Sequence, residues 1–197
     1  MTKVELANLA LGFVGVRPGL SEWEERGTNG QAVRDAWPLA RQELLRGKAW
    51  NFATKRAVLS AAADAPAFDW DYAYALPADC LKVLEFNAKL AGTGEATFDL
   101  EGKFILSDDD TAQLRYTADV EDCSQWDASF CQAFAHGLAA LIAPSLSTNP
   151  QLGMQLRNAA ENIALQAAGP NNVEGRPRAV LAQTGSSWMN ARRGVNS

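Results

Sequence analysis

Residues 47–59 read GKAWNFATKRAVL, and the period of the chain changes across them. Upstream, Val33, Trp37, Ala40 and Leu44 recur at helical spacing, which predicts a helix over residues 29–46. Gly47 is a natural stop for it. Downstream, KRAVLSA, WDYAYALP, LKVLEF, ATFDLEG, KFILSD and AQLRYTADV alternate with a period of two and predict strands. In the last of these, Leu114, Tyr116, Ala118 and Val120 fall on one face and Arg115, Thr117 and Asp119 on the other. Between the two regimes stand Trp50 and Phe52, with Lys55 and Arg56 close behind. Such a group is either a stacking platform for a base or sugar, or a joint between two parts of a fold. A platform needs a basic groove around the aromatics. The chain instead carries 23 acidic against 18 basic residues, a net charge of −5. The joint is the better reading: two aromatics two apart in an extended segment share a face and cement helices to strands, with Lys55 and Arg56 on a solvated edge or a subunit seam.

Working outward, Thr2 and Glu5 have capping-box spacing and open a helix over residues 2–15. The loop GVRPGLSEWEERGT follows, with Glu22, Glu24 and Glu25 around Trp23. Thr28 and Gln31 repeat the capping spacing before the second helix, and Pro38 within it predicts a kink or a break. Past the strands, Ser124 and Asp127 signal a third helix from about residue 124, with Phe130, Phe134, Leu138, Leu141 and Ile142 on its apolar surface and Pro144 as its end. Thr148-Asn149-Pro150 opens a fourth, stopped by Gly169-Pro170. Glu101-Gly102 predicts a hairpin turn and Asp108-Asp109-Asp110 the next, solvated turn. Helices at both ends carry apolar stripes without a nearby partner, so they must meet. The expected class is α+β: a helical bundle from residues 1–49 and 122–169, an antiparallel β insertion over 50–121, and an extended C-terminal arm over 170–197. The arm holds a short strand candidate, RAVLAQ, and the candidate partner-binding residues Trp188, Met189, Arg192 and Arg193. It either orders on a neighbouring molecule, packs on its own domain, or stays loose.

Chemistry is sparse. Cys80, Cys123 and Cys131 form no C-x-x-C pair and read as buried, reduced thiols of a reducing compartment. His136 is the one histidine. It lies in the apolar helix CQAFAHGLAALI and reads as a packed, hydrogen-bonded side chain. No nucleophile elbow, P-loop or dinucleotide fingerprint is present. Asp69 and Asp71 flank Trp70 and, in a strand, would point to one face as a solvated edge. The DDD run lacks the glycine and distal glutamate of a calcium loop. No enzyme, cofactor or metal is expected. The N-terminus does not read as a signal peptide, and no apolar run is expected to reach the roughly 18 residues of a membrane span.

In this order the pieces resemble the tail tubular protein A family of short-tailed bacteriophages, the head-to-tail adaptor or gatekeeper proteins. The resemblance rests on LALGFVGV before an acidic loop, on AVRDAWPLARQELLRGKAWNFA with its W-x-F-A joint, and on YAYALPADCLKV, FDLEGKFILSD and LRYTADVED. It continues through WDASFCQAFAHGLAALIAPSLS, LGMQLRNAAENIALQA and a tail ending in SSWMNAR. The resemblance implies a structural virion protein made in the host cytoplasm, without a membrane. It implies a homo-oligomeric ring of twelve copies, with the portal protein on one face, the tail nozzle or tube protein on the other, and tail fibres as further neighbours. Double-stranded DNA would pass through without being gripped. Asp108, Asp109, Asp110, Glu22, Glu24 and Glu25 are then the candidates for a negative lumen. Other connector components, such as a head-completion or tail-terminator ring, are the nearest alternative. A tail-associated enzyme acting on cell wall is a more distant one.

Overall fold

Four helices and two small antiparallel sheets make up the computed structural model, which describes residues 1–91 and 98–167. The expected α+β class holds. Helix α1 spans Lys3–Val14. Its capping box is formed as predicted: Glu5 N–H donates to Thr2 Oγ1 at 3.2 Å and Thr2 N–H to Glu5 Oε2 at 2.8 Å. Gly15, at φ 85°, closes it in the left-handed conformation.

Helix α2 spans Thr28–Gly47. Thr28 is its first residue and not its cap; Gly27 takes that place without a side-chain hydrogen bond. Pro38 does not break the helix, which is assigned without interruption across it. The proline sits on the exposed side of the helix.

A three-residue 3₁₀ turn, Cys123–Gln125, precedes helix α3, Ala128–Leu146. The start signal therefore divides in two. Asp122 caps the turn, and Asp127 caps the helix by accepting from Phe130 N–H at 2.6 Å. Pro144 does not end α3, because so close to the C-terminus its missing N–H concerns one bond, to Ala140. A Cβ built on Gly153 of α4 would stand 3.2 Å from that same Ala140 carbonyl, so glycine lets the helices approach there. Helix α4 spans Leu152–Gln166 and begins two residues after Pro150, with Asn149 accepting from Gln151 N–H at 3.0 Å.

Helices α1, α2 and α4 all pack on α3. By length and composition α3 could cross a membrane, which corrects the expectation that no run reaches that length. Most of its alanines and both phenylalanines are instead buried, with Phe130, Phe134 and Leu138 fully so.

Strand β1 is Thr54–Val58, β2 is Tyr72–Ala75, β3 is Cys80–Phe86, β4 is Lys89–Leu90, β5 is Asp99–Glu101, β6 is Phe104–Ser107 and β7 is Gln113–Ala118. One sheet has the order β1-β7-β3-β4 and the other β2-β6-β5, every pair antiparallel. The hairpin turn occupies Gly102-Lys103, since Glu101 pairs with Phe104; Gly102, at φ 58°, supplies the positive dihedral such a turn requires. The sheets face each other through Phe86, whose ring lies 6.0 Å from Tyr74 and 5.2 Å from Phe98. Asp69 and Asp71 are not in a strand. Asp69 adopts φ 68° in the bend before β2, and Asp71 N–H donates to Asp108 Oδ1 at 3.1 Å. One buried apolar cluster runs from α1 through the sheets to α4.

Candidate functional site

The segment between α2 and β1 is where the two kinds of structure are fastened. Residues Asn51–Ala53 form a 3₁₀ turn in place of the expected extended segment. Trp50 and Phe52 nevertheless meet on one ring: Phe130 of α3 lies 5.1 Å from Trp50 and 5.0 Å from Phe52. Trp50 is fully buried, and its indole N–H donates to the Leu44 carbonyl at 3.1 Å. Lys48 Nζ sits 4.3 Å over the same ring and donates to Ala164 O in the last turn of α4 at 3.1 Å. Burial pushes the Lys48 ammonium below its ordinary value, partly offset by Asp127. No face of Trp50 is left for a ligand, so the geometry is that of a joint.

Aromatic contacts continue from this joint across the helices. Phe130 touches Trp126 at 4.9 Å, Trp126 touches Phe134 at 4.9 Å, Phe134 touches Trp37 at 4.6 Å, and Trp37 meets Trp23 at 4.8 Å. The row ends in the acidic loop between α1 and α2. That loop is tightly held. Arg34 Nη1 donates to the carbonyls of Trp23 and Glu25, both at 2.9 Å, and Asn8 brackets Leu20 with two hydrogen bonds of 2.8 and 2.6 Å.

A second fastening crosses from α2 to the chain leaving β7. Arg41, 5 % exposed, places Nε 2.6 Å from Asp119 Oδ1 and Nη2 2.9 Å from Oδ2, with Glu121 at 3.0 Å. Gln42 adds a bond to Asp119 at 3.0 Å. Burial works against the guanidinium charge, but the Asp119 and Glu121 carboxylates outweigh it and hold Arg41 above its ordinary value. The sequence pattern does not single out this pair: Arg41 sits in an amphipathic helix and Asp119 on the strand face opposite Leu114, Tyr116 and Ala118. The residue spacing carries no mark of it.

Lys55 is also engaged, with Nζ 2.8 Å from Asp79 Oδ2, while Tyr116 O–H donates to Asp79 Oδ1 at 3.1 Å. The Lys55 hydrogen bond holds the Asp79 carboxyl below its ordinary range. Burial, reinforced by the bond to Asp79, pushes the Tyr116 hydroxyl up to about 12. Arg56 stays exposed.

The six acidic candidates fall in two places. Glu22, Glu24 and Glu25 belong to the helical layer, and Asp108, Asp109 and Asp110 to the turn between β6 and β7. They are not equivalent. Glu25 accepts from the amide and hydroxyl of Ser21, both at 2.7 Å, and these bonds hold its carboxyl down. Asp108 takes the Asp71 amide. Asp109 is half-buried: its carbonyl accepts from Tyr74 O–H at 2.5 Å and its carboxylate from Asn87 at 2.9 Å. Glu22, Glu24 and Asp110 point into solvent. Trp188, Met189, Arg192, Arg193 and the RAVLAQ segment lie outside the described residues.

The remaining polar candidates are structural. The His136 ring lies 4.1 Å from that of Phe13, tilted by 31°, and its Nδ1 lies 2.9 Å from the Gln132 carbonyl. The three cysteines are free, and burial pushes each thiol up. Among the described residues no three potential ligands gather for a metal. A groove of about 550 Å³ runs between α2, α3 and α4, with an apolar floor that includes Ala133, Gly137 and Ala160 and a mixed rim that includes Glu43, Arg157 and Glu161. Comparison of the sequence with known protein families and with curated proteins returns no match.

Proposed function

We propose that the chain is a structural virion protein of a short-tailed bacteriophage, a head-to-tail adaptor. Its ring, twelve copies in the family it resembles, docks beneath the portal and joins it to the tail nozzle, forming part of the DNA conduit. The observation that carries the reading is the element order: helices from both chain ends close around α3, with the β strands inserted between them. In the family this is a helical bundle with an inserted β domain. The C-terminal arm over 170–197, with Trp188, Met189, Arg192 and Arg193, is assigned to straps on portal or neighbour.

The two fastenings support the same reading. A ring component bears load between head and tail; Trp50 packs the segment before β1 onto α2 and α3, and Arg41 ties α2 to the chain leaving β7. The solvent-facing carboxylates of Glu22, Glu24 and Asp110 suit a passage that repels the duplex. Purified protein mixed with a short-tailed phage portal ring, viewed in negative stain, tests the proposal: added density beneath the portal is the expected result. Binding at the far end of a completed tail would favour a tail-terminator ring. Cell-wall hydrolysis by the same sample would favour a tail enzyme.

A further inference from the structure

The two sheets have four edges, and two of them are closed or negligible. The outer side of β2 is taken up by Ala61, which bridges Tyr74, and by Ala62, whose N–H donates to Ala73 O at 2.7 Å. Strand β4 is two residues long. Among the described residues no strand flanks the outer side of β1 or of β5, while on β3 beyond β4 the Leu81 carbonyl accepts from Arg46. They lie on opposite flanks. The chain leaves β1 through Leu59, bonded to Ala112 O at 2.9 Å, and passes straight to Ala61 beside β2, whereas β4 and β5 follow each other on the other flank.

The chemistry of the two edges is complementary. Strand β1 carries Lys55 and Arg56 and ends in Val58, 83 % exposed. Strand β5 is Asp99, Leu100 and Glu101, exposed throughout, with Leu100 at 52 %. Lys55 already serves Asp79, so Arg56 is the cation that β1 offers. Arg56 stands directly opposite Arg115 in the β1–β7 pairing; Arg115 is ion-paired with Glu85 at 2.7 Å, whereas Arg56 has no ion pair among the described residues. A carboxylate arriving at this edge would give it one.

We propose that β1 of one copy pairs edge to edge with β5 of the next. The pairing sets Arg56 against Asp99 and Glu101 on one face of the joined sheet and propagates head to tail around a ring. Strand addition supplies affinity through main-chain hydrogen bonds and specificity through alternate side chains. Because the two surfaces differ and lie on opposite flanks, the contact is heterologous and closes by rotation. The inference deepens the adaptor reading and rests on it for the closed ring.

A charge-reversal mixture tests it. Arg56→Glu makes both edges of one chain acidic; Asp99→Arg with Glu101→Arg makes both edges of another basic. Each alone should self-associate about tenfold or more weakly than wild type in sedimentation velocity, since like charges now meet. An equimolar mixture should recover wild-type association, because every β1 again faces a β5 of opposite sign; recovery also shows that both variants fold. Variants that associate like wild type, or a mixture no better than its parts, would overturn the seam. The same samples are then added to a short-tailed phage portal ring. Variants that still ring the portal singly overturn the seam and leave the adaptor reading standing. Rescue in solution beside a bare portal keeps the seam and overturns the adaptor reading. Wild-type protein that stays monomeric and leaves the portal bare overturns both.

Discussion

Replacing Trp50 with alanine tests the joint most directly. The side chain is fully buried against Phe130 and beneath Lys48, and its N–H serves the Leu44 carbonyl. Truncating a large buried aromatic costs about 3–5 kcal/mol through lost transfer and the cavity left behind. Leaving the Leu44 carbonyl without its donor adds about 1 kcal/mol. The α2 end, the 3₁₀ turn and Phe130 all border the void, so collapse in one direction opens another, and the upper part of the range, about 4–5 kcal/mol, applies. For a chain of 197 residues this corresponds to a fall of roughly 8–20 °C in melting temperature. Trp50→Phe keeps most of the ring contact and loses the hydrogen bond, so it should cost about 1–2 kcal/mol. Thermal unfolding followed by circular dichroism and calorimetry measures both. An unmoved melting temperature for Trp50→Ala would refute the joint. Lost binding of an oligonucleotide or oligosaccharide at unchanged stability would restore the stacking platform.

Other perturbations separate the remaining claims. Arg41→Met should cost about 3–5 kcal/mol, because it strands a largely buried Asp119 carboxylate; a double-mutant cycle with Asp119→Asn should give a coupling above about 1 kcal/mol, and a coupling near zero would remove the second fastening. The Tyr116 hydroxyl is raised from 10.0 to about 12. The folded chain therefore keeps a proton that the unfolded chain loses, and this stabilisation is complete below about pH 10 and disappears as pH rises through 12. Tyr116→Phe should flatten that alkaline loss in a melting-temperature profile. Asp79 acts at the other end: its lowered carboxyl contributes above its ordinary value and loses that contribution as pH falls through the folded one. Gly12→Ala, which meets open space inside α1, should stabilise by about 0.5–1 kcal/mol. Gly30→Ala places a Cβ 2.5 Å from the Glu25 carbonyl and should destabilise, so the two melting temperatures should move in opposite directions. Lysine at Glu22, Glu24 and Asp110 together should slow DNA ejection from assembled particles; an unchanged rate would take these residues out of the lumen.

Local signals in the sequence survive folding where the physics is local. The change of period at residue 50, the Thr2–Glu5 capping box and the Gly102 hairpin each depend on a few neighbouring residues, and each appears in the structure. Errors arise where a local signal competes with tertiary packing. Thr28 resembles a cap, yet the start of α2 is set by Gly30 packing under the Glu25 carbonyl and by Arg34 reaching back to the loop. Pro144 resembles a stop, yet α4 packs against the carbonyl it frees. The candidate surfaces were legible only as charge. Composition shows that Glu22 to Glu25 and Asp108 to Asp110 are acidic, but which carboxylates are tied up depends on Ser21, Asn87 and the Asp71 amide. The Arg41–Asp119 pair, 78 positions apart, and the open edges β1 and β5 depend on strand order, which no alternation pattern encodes.

The insertion of the strands between the helices also dictates an order of events during synthesis. Strands β1 to β7 lie within residues 54–118 and need nothing beyond one another to pair, so the sandwich can close early. Helices α1 and α2 leave the ribosome first, but the faces built around Leu6, Leu11, Val33 and Trp37 have no cover until α3 arrives. From Lys48 to Asp127 is a stretch of 80 residues. At ~5–20 residues per second its synthesis takes about 4–16 s. Over that interval the nascent chain displays an apolar surface that the finished protein hides, which makes the first two helices the place where a holding chaperone would bind and where an interrupted chain would aggregate.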